Sequence, residues 1–98
     1  MIEKIAKFYR NNGLPEILIK SKCAMYEKNP DIADELVLWI TENKYKESSC
    51  VEIDGYSAKK LAEMSPFLNG DGAFETLIEL RNNPDQAKKM LECGLKKK

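Results

Sequence analysis

Apolar residues return along most of this chain at the three- and four-residue spacing of one helix face. Ile2, Ile5, Ala6 and Tyr9 fall in this rhythm, and Asn11-Asn12-Gly13 supplies a stop, so a short amphipathic helix is predicted over 1–10. Leu14-Pro15-Glu16 reads as a new start with proline in the first turn. The helix that follows carries Ile17, Leu18, Ile19, Cys23, Ala24, Met25 and Tyr26 on most of its sides, which predicts a buried central position. Asn29-Pro30-Asp31 orders an N-cap, an N1 proline and a first-turn acid as helix starts prefer. Behind it Ile32, Leu36 and Trp39, with Ala33, Val37 and Ile40, form a wide apolar face.

The rhythm changes between Lys44 and Tyr56, where Val51 and Ile53 alternate with Glu52 and Asp54 before Gly55 interrupts. This leaves room for one small β-hairpin near residues 45–54, pairing with Tyr45–Glu47. Ser57 is expected to cap a helix over 58–64, ended by Ser65-Pro66 because a residue before proline avoids the helical region. Beyond Asn69-Gly70-Asp71-Gly72 a helix carries Phe74, Leu77, Ile78 and Arg81 on one side and Ala73, Leu77 and Leu80 on the next. The NPDxA string of residues 29–33 returns at 83–87, heading a last run with Ala87, Met90, Leu91 and Leu95 around Gly94. With no similarity beyond the cap, this is capping chemistry used twice. The fold expected is mainly α: one domain over 1–98, a compact bundle of five to six short helices, ending in a short basic tail.

Ninety-eight residues suit one core, and 43% apolar with 33% charged residues is ordinary globular usage. Sixteen basic and sixteen acidic side chains cancel, yet residues 1–28 and 81–98 are net positive and 29–80 net negative. Binding to nucleic acid or an anionic membrane would therefore have to be local. Three widely spaced cysteines, Cys23, Cys50 and Cys93, with no histidine in the chain, complete no zinc site and point to free thiols in a reducing compartment. The first residues lack the apolar core of a signal peptide, and no stretch approaches membrane-spanning length, so the expected location is the cytoplasm, off the membrane.

The NGDG stretch invites a test for ion binding. With Gly72 at the invariant sixth position of an EF-hand loop, Phe67 and Ile78 would stand at the first and twelfth ligand positions, and neither coordinates a cation. A P-loop needs a lysine after its last glycine, which is missing here. The residues fit a helix junction, with Asn69-Gly70 turning and Asp71 or Gly72 capping. Without histidine the commonest general base and every Ser-His or Cys-His nucleophile are absent, so no catalytic residue, metal ligand or cofactor is assigned and the chain is read as non-enzymatic.

Two charged surfaces remain. Asp71, Glu75 and Glu79 lie at i, i+4, i+8, a carboxylate stripe that something basic should face, either Lys88 and Lys89 of the next helix or the surface of a partner. Lys88, Lys89, Lys96, Lys97 and Lys98 form a basic end, read either as a solvated tail or as a nucleic-acid contact. A helix-turn-helix beginning at Ser57 is disfavoured, because residues 65–72 make too long a turn and Glu75 and Glu79 would repel DNA. Trp39 is weighed as core against a partner-binding hot spot, with core preferred.

The stretch from Gly55 to Lys98, GYSAKKLAEMSPFLNGDGAF followed by LIELRNNPDQAKKML, resembles a segment of small proteins carried by Firmicutes bacteria and their mobile elements. The resemblance covers under half of the chain and brings no functional residue with it. It implies a bacterial cytoplasmic accessory role, including a phage- or plasmid-borne regulator or defence inhibitor. The expected activity is binding of another protein, with self-association as a homodimer to be tested, and a small nucleic-acid-binding regulator using the basic C-terminal end is the alternative.

Overall fold

The computed structural model describes residues 2–46, 51–65, 68 and 70–96, with side chains as far as Glu92. The chain is mainly α, and its described residues form six helices: α1 (Ile2–Asn11), α2 (Glu16–Glu27), α3 (Pro30–Glu42), α4 (Ala58–Met64), α5 (Asp71–Asn82) and α6 (Pro84–Lys96). They fall into two compact units, Met1–Lys46 and Glu47–Lys98.

In the first unit α1, α2 and α3 all pack on one another. Its buried side chains are Ile5, Tyr9, Ile19, Cys23, Tyr26, Ile32, Ala33 and Leu36. Tyr9 and Tyr26 bury their rings and satisfy their hydroxyls with a 3.4 Å hydrogen bond from Tyr9 Oη to Tyr26 Oη. The joint between α1 and α2 is a Schellman stop: Leu14 N–H reaches Tyr9 O and Gly13 N–H reaches Arg10 O, both at 3.1 Å, with Gly13 at φ 82°. Arg10 then clasps Glu16 with a two-pronged ion pair, 2.8 Å at its shortest, tying the end of one helix to the start of the next.

Pro15, expected early in the first turn of α2, is the residue that precedes the helix. It is extended there at ψ 149°, where its missing N–H costs nothing. Helix α2 is not buried all round: Ile19, Cys23 and Tyr26 face the core, while Ile17 and Leu18 face solvent. A three-helix unit offers α2 neighbours on one side only.

In the second unit α4 and α6 each pack on α5, whose Ala73, Phe74, Leu77, Ile78 and Leu80 are buried with Val51, Ala58, Leu61, Ala87 and Leu91. Met90, assigned to the inward face of α6 by spacing, is instead exposed, and Gly94 lies within α6. The described part of residues 45–54 holds no strand. Ile53 pairs with Tyr56 across Asp54-Gly55, both at positive φ (53° and 84°), so the turn signal makes a single tight bridge in place of a hairpin with Tyr45–Glu47. Residues 47–50 lie outside the described chain.

Ser57 caps α4 as expected, its Oγ accepting from Lys60 N–H at 3.2 Å, and Ser65 leaves the helix at φ −150° before Pro66. At the NGDG stretch Gly70 is the residue before α5, at φ 101°, ψ −146°, a conformation open only to glycine. Asp71 is therefore the first residue of α5 and caps nothing, while Asn69 lies outside the described residues.

Candidate interaction surfaces

The twofold NPD string builds the same backbone joint both times. Asn29 stands at φ −131°, ψ 64° and Asn83 at φ −136°, ψ 66°, with the N–H groups of Ala33 and Ala87 bonded to their carbonyls at 2.9 and 3.0 Å. The proline sets the first helical φ, and the asparagine, neither helical nor extended, turns the chain from one helix into the next. Asn29 does not act as a side-chain cap; its Nδ2 turns back to donate to Met25 O at 2.9 Å, closing α2.

On α5 the carboxylate stripe is graded by depth. Glu79 is exposed, whereas Asp71 and Glu75 are half-buried. Asp71 lies in the first turn, where a negative charge is favoured by the helix dipole. The expected cross-helix partner does something else: Lys88 Nζ lies 3.5 Å from Asp54 Oδ1, holding the 53–56 turn against α6. Lys60 holds the other side of that turn, donating to Gly55 O at 3.3 Å and lying over the Tyr56 ring. Lys89 is exposed, α6 runs through Lys96, and Lys97 and Lys98 lie outside the described residues.

Cys23 is a free, buried thiol pushed above the ordinary thiol value by desolvation first and by nearby Glu27 second. That is the opposite of an activated nucleophile. Cys50 and the side chain of Cys93 lie outside the description. Among the described residues no three of the Cys, Asp and Glu side chains are grouped so as to hold a metal ion, and no helix is long and apolar enough to cross a membrane.

The second half of α3, whose Trp39 is weighed above as core or hot spot with core preferred, stays partly open. The first half of the helix buries Ile32, Ala33, Leu36 and also Glu35, while Val37, Leu38, Trp39 and Ile40 are all only half-buried. Trp39 is held from two sides: Phe8 meets it edge-on at 5.5 Å and Tyr45 lies near-parallel at 6.5 Å. Phe8 in turn meets Tyr9 edge-on at 5.3 Å, so the open aromatic group is anchored on the core. Asn43, left-handed at φ 54°, donates its N–H to Trp39 O at 2.8 Å and turns the chain so that Tyr45 can reach the indole. The available signal was four consecutive apolar residues, which exceed what one buried helix stripe uses.

No family model, curated protein or solved structure matches this chain.

Proposed function

We propose that this chain is a non-enzymatic module that works by binding another protein, and that it docks through the open half of α3. The observation that carries the reading is the half-buried run Val37–Ile40 with Trp39 fixed between Phe8 and Tyr45. Tryptophan in a pre-arranged apolar setting is the residue type most enriched among binding hot spots, because it offers a large contact area for few rotatable bonds. The carboxylate of Glu79 and the ammonium of Lys89 are further charged groups for selecting a partner. The resemblance of residues 55–98 to proteins of bacterial mobile elements supports placing the module as a regulator or inhibitor of a host or defence protein in the cytoplasm.

The nucleic-acid alternative has lost a share of its basic end, since Lys88 is engaged by Asp54. The two readings separate in one experiment. The tagged chain is used to capture material from lysate of the source cell, with and without nuclease, at low and moderate salt. A defined protein retained under all conditions supports the proposal; material lost on nuclease treatment, with affinity falling steeply in salt, overturns it in favour of nucleic acid.

A further inference from the structure

We propose that the outward face of α2 is a self-association surface, on which a second copy of this chain lays its own α2 in antiparallel orientation. The inference is independent of the docking role given to α3. Directly opposite the buried Ile19, Cys23 and Tyr26, the helix presents Ile17, Ser21, Ala24 and Lys28 at i, i+4, i+7 and i+11, the spacing of a seam between paired helices. Ile17 is 78% exposed and Leu18 beside it 48%, a large apolar contribution for a charged 98-residue chain to leave in water.

The occupant follows from how this face reads when reversed upon itself. A two-fold axis crossing the helix between Ser21 and Ala24 sets Ser21 of one copy against Ala24 of the other, and these two small side chains let the backbones approach closely. The same axis sets Ile17 against Lys28, whose methylene stem can cover the isoleucine while its ammonium stays in water. On one flank Lys20 meets Glu27, and by symmetry Glu27 meets Lys20. On the other flank Leu18 meets the half-buried Met25 twice. One register thus satisfies apolar, small and charged positions together, as an isologous contact requires. Glu16 takes no part, being held by Arg10. A contact of three helical turns falls at the low end of interface sizes, so the dimer is weak and concentration-dependent.

Sedimentation equilibrium on the full chain tests this. The weight-average mass should rise from the monomer value of 11.2 kDa toward twice that as concentration increases from about 10 μM to about 1 mM, the range in which a weak complex forms. K20E sets carboxylate against carboxylate twice and should weaken association about five- to tenfold, while the swap K20E/E27K should restore it. A24R, at the crossing, should leave a monomer throughout. These positions are exposed, so far-UV circular dichroism should be unchanged, and the charge swap carries the test even where A24R perturbs the helix. A wild type that stays monomeric over the whole range, an association that K20E leaves intact, or a swap that fails to restore it would each overturn the proposal.

Discussion

Gly70 answers what the NGDG stretch is for. At φ 101°, ψ −146° it occupies backbone space that a Cβ closes, so G70A should lower stability by about 1–3 kcal/mol in urea denaturation with little change in m-value. A smaller loss would mean that the turn relaxes at no cost. Glu35 is the residue that pattern reading missed. It is 5% exposed on α3, and every buried side-chain nitrogen and oxygen among the described residues has a hydrogen-bond partner. Truncation to alanine strands the group it bonds, an expected cost of about 1–3 kcal/mol in the same assay. Spacing could not have found it, because a glutamate between Asp34 and Leu36 reads as solvated until a neighbour is placed beside it. Cys23 carries the pH signature. Its value is raised in the folded state, so the unfolded thiol ionises first, and its contribution to stability is complete below the ordinary value near 9.0 and lost as pH rises through the raised one. At pH 8 its alkylation, followed by site-resolved mass spectrometry, should run at least about tenfold slower in the native than in the urea-unfolded chain, and equal rates would refute the burial.

The helices themselves were legible wherever chemistry at their ends is local. Ser57, the Gly13 stop, Ser65 before Pro66 and both NPD joints follow from side chains and φ limits acting over four or five residues. S57A should cost about 1 kcal/mol, since it frees the N–H of Lys60, and S57D should recover most of that in thermal melts. What was not legible is which face an element buries when it is apolar on several sides. For α2 and α3 the periodicity admits two buried faces, and only the three-helix packing of the first unit shows that α2 keeps Ile17 outside and α3 leaves Trp39 half-open. The acidic stripe on α5 was correct as a spacing and incomplete as a surface, because its members differ in depth. E79K, at an exposed site, should change stability by less than about 0.5 kcal/mol, whereas D71K opposes the helix dipole at a half-buried first-turn site and should cost more.

Across the whole chain, two compact units each carry their own buried side chains, and the charge that cancels in the total is net positive over 1–28 and 81–98 and net negative over 29–80. The proposed protein binding rests on the half-open aromatic group of α3, where Phe8 meets Trp39 edge-on. The most direct test compares capture from source-cell lysate by the wild type, W39A and E79K, each checked for unchanged helicity by circular dichroism and quantified by mass spectrometry. The account predicts a defined, nuclease-resistant protein partner that W39A loses by at least about tenfold, the usual scale of a hot-spot truncation, with E79K losing less. Equal capture by wild type and W39A would contradict it, showing that Trp39 serves only the packing of its own unit.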